Sequence, residues 1–236
     1  MMILADIHTH SIASGHSTKD TIIDMARHAA NNHLALLGIS DHGPGTIGAA
    51  KSSYYRSLAS APRNRFGIEL LYGVELNILD RKGKVDLDAS ILSKLDYAIA
   101  SMHRKNLAPG TKEENTYGYI EVMKNPFVNI IGHCDDVAYP LDYEVLVEAA
   151  KDYHVLLELN DSSLAPNGYR GDTKENDCTL IRLLVKKHLP ILLSSDSHGK
   201  GGIGKMEYAL ALLKELGVSD KYILNNNIEE LKKWIL

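Results

Sequence analysis

Aromatic side chains other than tyrosine are nearly missing from this chain: two Phe and one Trp stand beside 12 Tyr in 236 residues. A buried core must therefore be built from aliphatic residues. Cysteine is as scarce. Cys134 and Cys178 are too few for a disulfide framework, which fits a reduced, cytoplasmic protein. There is no basic excess, and a net charge of -4 argues against avid non-specific nucleic-acid binding, although short nucleic-acid substrates stay open. No apolar run approaches the ~20 residues of a membrane helix. Met1-Met2 lead straight into a strand without a charged segment or cleavage site, so neither export nor membrane insertion is expected. Linker-like, low-complexity and repeated stretches are lacking too. The length suits one large domain over residues 1–236.

What the chain does have is alternation. Short β-type runs are expected at 3–7, 34–40, 69–75, 97–101, 128–132, 155–159 and 190–195. Amphipathic helical stretches lie between and after them, at 21–31, 115–124, 143–153, 175–187 and 206–216, with a last helix capped by Asn227. Apolar strands alternating with helices imply an α/β fold with a helix-covered parallel sheet. Seven such units suggest a closed or nearly closed barrel, one short of the common eight. An open doubly wound sheet competes with it.

The polar residues favour the barrel. Asp6-Ile7-His8-Thr9-His10 places two imidazoles two residues apart, on one face of an extended strand, and His16 follows a small-residue turn. The next runs end in Ser40-Asp41-His42, Val74-Glu75, Met102-His103, Gly132-His133 and Ser195-Asp196-Ser197-His198. Seven of the eleven histidines thus lie at or just beyond the C-terminal ends of apolar runs. His28, His33, His154 and His188 do not, and are read as ordinary residues. Only a closed barrel brings that many strand ends to one mouth. Imidazole and carboxylate suit zinc, iron or manganese, and no thiolate marks a closed structural zinc site. The set is His8, His10, His16, His42, Glu75, His103, His133, Asp196 and His198. Three divalent ions, one pair bridged by a carboxylate, would use all of these ligands.

The motifs D-I-H-T-H-S-(x)4-H, S-D-H-G-P, G-V-E-L-N, I-G-H, L-E-L-N-D-S-S and S-S-D-S-H together resemble the PHP (polymerase and histidinol phosphatase) superfamily. Within it the chain is most similar to the YcdX-like trinuclear-metal phosphatases. The resemblance covers essentially the whole chain and matches all nine metal positions. It implies a distorted (βα)7 TIM-like barrel with its metal site at the C-terminal strand ends. It also implies a division of ligands: His8, His10, Glu75 and Asp196 on one ion; Glu75, His103 and His133 on a second; His16, His42 and His198 on a third.

Such a site supports attack of a metal-bridging hydroxide on phosphorus, without a serine or cysteine nucleophile. Glu75, Asp196 and His198 are taken as catalytic as well as ligating. Zinc is the first choice of metal. Asp6 and Asp41 could fix imidazole tautomers, or could point to the opposite strand face in a plain structural role. Glu158, Asn160 and Ser162 follow as candidates for supporting the site, with Asn160 lining the pocket; the alternative for them is turn hydrogen bonding. Arg104, Lys105 and Arg170 are candidate phosphate binders, Lys105 the weakest. Gly199–Lys205 fits a nucleotide-binding P-loop, but Met206 stands where Ser or Thr is needed. Its amides could still help to hold a phosphate. Cys134 is read as a packing residue.

The leading functional expectation is a metal-dependent phosphoesterase acting on a small phosphorylated molecule. The runner-up is an amidohydrolase-like metal hydrolase on a carbon-centred ester or amide. That class usually bridges its metals with a lysine, and none lies at a fitting strand end. A 3′-5′ exonuclease ranks below it, and a non-catalytic metal-binding protein ranks last. A homo-oligomer stays open.

Overall fold

The computed structural model describes residues 3–236. Its strands are β1 (Ala5–Asp6), β2 (Thr9–His10), β3 (Leu36–Ile39), β4 (Asn64–Arg65), β5 (Ile68–Asn77), β6 (Tyr97–Ser101), β7 (Ile130–Ile131), β8 (Leu156–Asn160), β9 (Leu192–Ser194) and β10 (Ser197–His198). The helices are α1 (Ile22–Asn31), α2 (Ser52–Leu58), α3 (Ala89–Leu92), α4 (Lys112–Met123), α5 (Tyr143–Tyr153), α6 (Asp161–Leu164), α7 (Lys174–Lys186), α8 (Glu207–Glu215) and α9 (Ile228–Ile235).

Seven parallel strands pair in the order β1-β3-β5-β6-β7-β8-β9, with helices around them. The result is a nearly closed (βα)7 barrel. Beyond β9 the chain continues as β10 and pairs with β2, Ser197 opposite Thr9 and His198 opposite His10, which joins last strand to first at the C-terminal rim. Below that rim the seam is filled by one side chain. Asn225 Nδ2 donates to the carbonyls of Ala5 (2.9 Å) and Leu193 (2.8 Å), while its Oδ1 accepts from Leu193 N–H (2.9 Å).

Aliphatic residues do build the core, in two layers. A large cluster lies between the strands and the helices, and a smaller one fills the barrel with Ala5, Ile7, Leu36, Ile99, Ile130 and Leu192 among its members. Leu231 and Ile235 of α9 belong to the inner cluster, so that helix plugs the end opposite the rim. Tyr97 is the large ring inside. A Cβ at Gly38 would lie 2.4 Å from the Tyr97 hydroxyl and one at Gly73 would lie 2.6 Å from its Cζ, so both positions require glycine for this close approach.

Several elements depart from expectation for local reasons. The first run is broken: Ile7 and His8 are unpaired between β1 and β2. Ile7 can then join the inner core while His8 faces the rim, a phase shift that unbroken alternation would forbid. The third long strand continues past Glu75 to Asn77. Helix α4 begins at Lys112, because Thr111 and Glu114 form a reciprocal capping box ahead of the expected start. Helices α2, α3 and α6 and the short antiparallel strand β4 carry too little periodicity to be seen in sequence. No helix among the described residues is long and apolar enough to cross a membrane.

Candidate metal centre

The nine expected ligands meet at the rim that β2 and β10 complete. Glu75 lies at the middle, its backbone fixed by bonds from its N–H to Asp41 O (3.0 Å) and from Gly43 N–H to its carbonyl (2.7 Å). Around its carboxylate stand His8 Nε2 (3.6 Å), His10 Nε2 (3.7 Å), His42 Nδ1 (2.5 Å), His103 Nε2 (3.2 Å) and His133 Nε2 (2.9 Å). Asp196 lies 3.1 Å from His10 Nε2 and 3.7 Å from His8 Nε2. His198 Nε2 is 3.4 Å from His42 Nε2. His16, on the exposed loop after β2, stacks on the His42 ring at 4.9 Å and lies 5.0 Å from the His198 ring.

This crowding has a chemical consequence. His8 Nε2, His10 Nε2, His42 Nδ1 and Glu75 Oε2 are buried and face only one another and Asp196, without a hydrogen bond of good geometry. Lone pairs of imidazole and carboxylate face one another at spacings close to the ~3.3 Å that separates ligand atoms on one tetrahedral zinc. Three triads can each converge on one ion: His8, His10 and Glu75; His42, Glu75 and His103; His10, His42 and His198. The donor set therefore fits divalent metal. His42 belongs to two of these triads, with Nδ1 toward Glu75 and Nε2 toward His198.

The electrostatics agree with that chemistry. Burial would neutralise Glu75, but His103, His42 and His8 outweigh it and hold its carboxyl well below the usual range. Asp196 is buried likewise, and His8 and Arg170 hold it well below. Burial and neighbouring imidazoles push His10, His16 and His198 down, and burial with the Arg170 charge pushes His133 down. For His8 and His42 burial acts the same way but is overridden, by Glu158 for His8 and by Glu75 for His42, so both are raised. Ionised carboxylates beside imidazoles held neutral, as at His10, His16, His133 and His198, are what a divalent ion requires.

Three of the rings have a side-chain partner behind them. Glu158 Oε1 lies 2.6 Å from His8 Nδ1, Asn77 Oδ1 lies 2.8 Å from His103 Nδ1, and Ser14 Oγ lies 3.0 Å from His10 Nδ1. Asn77 and Ser14 were missed in sequence. Asn77 sits two residues beyond Glu75 on the same strand face, a signal within G-V-E-L-N that could have found it. Asp41 does not touch an imidazole; it accepts from Ser14 Oγ (2.7 Å), from Ser11 and from Tyr54, and so acts on His10 only through Ser14. Asp6 faces away and accepts from Ser195 and from Gly204 N–H.

Of the expected phosphate binders, Arg170 reaches the centre, with Nη2 2.8 Å from Asp196 Oδ2 and Nη1 3.2 Å from Ser163 Oγ. Arg104 stands on the rim, paired with Asp136 at 2.6 Å and stacked over the exposed Tyr169 ring. Lys105 and Ser162 are exposed. Asn160 spends its amide on Glu158 (3.0 Å) and Asp196 (3.3 Å), so it braces the ligands rather than lining an open pocket. The P-loop-like segment is no phosphate cradle: Gly199, Lys200, Gly202 and Gly204 donate their amides to His10 O, Asp20, Ser197 and Asp6. Cys134 packs in the core and burial pushes its thiol up. His33, His154 and His188 follow helices in left-handed backbone conformation, and His28 lies within α1, all away from the rim.

Residues 6–163 match the PHP domain. Over the whole chain the sequence is 39% identical to a protein of Clostridium botulinum (strain Hall) named a probable phosphatase, covering 95% of it. A Listeria monocytogenes structure, proposed to be a histidinol phosphatase, superposes with TM-score 0.65 at 18% identity, over 87% of this chain and 99% of that one. The histidinol phosphate phosphatase of Lactococcus lactis, solved with zinc, L-histidinol and phosphate, superposes with TM-score 0.62 at 18% identity, over 93% and 95%. A seven-stranded barrel whose rim gathers this set of ligands, together with a full-length match, places the chain in the PHP domain family.

Proposed function

We propose that the protein is a metal-dependent phosphatase that hydrolyses a small phosphomonoester at the Glu75–Asp196 centre. The observation that carries this reading is the buried ring of ligand-type atoms on His8, His10, His42 and Glu75 that face one another without a hydrogen bond of good geometry. A full-length relative is named a probable phosphatase, and a fold neighbour was solved with zinc, L-histidinol and phosphate. Bound divalent ions would lower the pKa of a water and take up charge on phosphoryl oxygens. Three ions, with zinc first and manganese or iron next, would use all nine ligands, with Glu75 shared between two of them.

The chain's own residues supply the rest. Arg170 presents a mostly buried, always-charged guanidinium beside Asp196, and its remaining N–H groups can bind phosphoryl oxygens. Arg104, held by Asp136 and Tyr169, offers a second cation at the rim. The hydroxyl and amide partners of the imidazoles keep their ligating nitrogens aimed at Glu75. No lysine stands among these groups, which weighs against the amidohydrolase-like reading.

The test is metal analysis coupled to a panel of small phosphoesters, with chelation and add-back. Phosphate release that chelation abolishes and zinc, manganese or iron restores is the expected result. A fully metallated protein that releases no phosphate from any panel member would overturn the reading. Faster degradation of a single-stranded oligonucleotide would favour the exonuclease instead.

A further inference from the structure

Glu158 makes contacts that a turn residue would not make. It lies on β8, fully buried, and both of its oxygens are saturated. Oε1 faces His8 Nδ1 at 2.6 Å and accepts from the Ser194 hydroxyl. Oε2 accepts from His133 N–H at 2.6 Å and from Asn160 Nδ2 at 3.0 Å. One carboxylate thus grips the chain ends after three other strands.

Two of the residues it helps to hold have strained backbones. His133 has φ of 28° and Asp196 has φ of 50°, in the region that side chains rarely adopt. Oε2 fixes the first by taking its amide, and Asn160, two residues on along the same strand face, reaches the second through its Oδ2. His8 has a different requirement. For Nε2 to offer a lone pair, Nδ1 must carry the proton, and an acceptor behind Nδ1 enforces that tautomer.

We propose that Glu158 is the positioning residue of the metal centre, locking His8 with Nε2 free for metal and holding His133 in its strained backbone. The inference rests on the metal-centre reading above. The isosteric Glu158→Gln variant exposes the requirement, because its amide has one acceptor where the native side chain has two. With the oxygen at the His8 side, the NH2 group meets the His133 N–H and the Asn160 amide, donor against donor. With the oxygen at the His133 side, the NH2 group forces a proton off His8 Nδ1 and onto Nε2, the nitrogen needed for metal.

The experiment compares wild type and Glu158→Gln for zinc stoichiometry and for affinity by chelator competition, with circular dichroism as a folding control. The expected result is a folded variant whose zinc affinity falls about 10- to 100-fold. Excess zinc should restore most of its turnover. Equal affinity and stoichiometry in the two proteins would overturn the inference. If the variant does not fold, histidine 15N spectra of zinc-loaded wild type decide instead. They should show His8 ligated through Nε2 with a slowly exchanging Nδ1 proton, and an unprotonated Nδ1 would overturn the proposal. A wild type that binds no zinc would overturn the metal-centre reading itself, a result distinct from either of these.

Discussion

The Arg170 guanidinium lies 2.8 Å from Asp196 Oδ2, with only 13% of the arginine side chain exposed. A permanent cation is therefore built in beside a carboxylate of the proposed metal centre. Its second nitrogen anchors to Ser163, whose hydroxyl meets Asp135, so the fork is held from behind.

Replacing Arg170 should therefore impair substrate capture as well as site geometry. Arg170→Lys keeps the charge and loses the fork, and kcat/KM should fall about tenfold; Arg170→Ala should cost about a hundredfold, or ~3 kcal/mol. Arg104→Ala, at the more exposed rim, should raise KM only a few-fold. Steady-state kinetics on a small phosphoester will check the order of the three.

Glu75 is the group that most imidazoles share. Glu75→Ala should lower the metal content per chain and reduce turnover more than about a thousandfold. Metal analysis and activity together check this, and near-normal turnover would refute the shared role. His28→Ala, remote on α1, should leave metal content unchanged.

Behind Arg170, Asp135 Oδ2 and Asp177 Oδ1 are buried with no other partner, and a proton held between the two carboxyls satisfies both. Burial, outweighing Arg170 and Ser163, raises Asp135 to about 7, and burial reinforced by the Asp135 charge raises Asp177 to about 9. Against an unfolded value near ~3.9, the folded state keeps protons that the unfolded chain has released. Stability of the metal-free protein should thus fall as pH rises from about 4 towards about 9. Asp177→Asn keeps the donor and cannot ionise. It should match wild type near pH 4 and exceed it by a margin that widens steadily towards pH 9, measured by urea unfolding.

Asn225 closes the barrel seam with three hydrogen bonds. Asn225→Leu leaves the carbonyls of Ala5 and Leu193 and the Leu193 amide unpaired in the interior. The expected loss is about 3–5 kcal/mol, read from the denaturation midpoint at unchanged slope. A loss under about 1 kcal/mol would mean that the neighbouring segment closes the seam without it.

The barrel class and the residues that gather at its rim are legible in the chain alone. Apolar runs alternating with amphipathic helices fit a barrel or an open doubly wound sheet, and the donors at the ends of those runs favour the barrel because only closure brings them to one rim. His8 with His10 shows that local logic, and so do Glu75 with Asn77 and Glu158 with Asn160, all spaced for one strand face. Only folding fixes which partner aims the His8 and His103 rings, because Glu158 and Asn77 are remote from them in the chain. His8 and Glu158 are separated by 150 positions, Asn225 and Ala5 by 220. It also decided that Asp41 works through Ser14, that Asn160 braces Asp196, and that the glycine-rich amides after β10 are already satisfied. A hydrogen bond is fixed by direction and distance between atoms, and neither exists until the strands have closed around Tyr97 and brought distant donors and acceptors within about 3 Å.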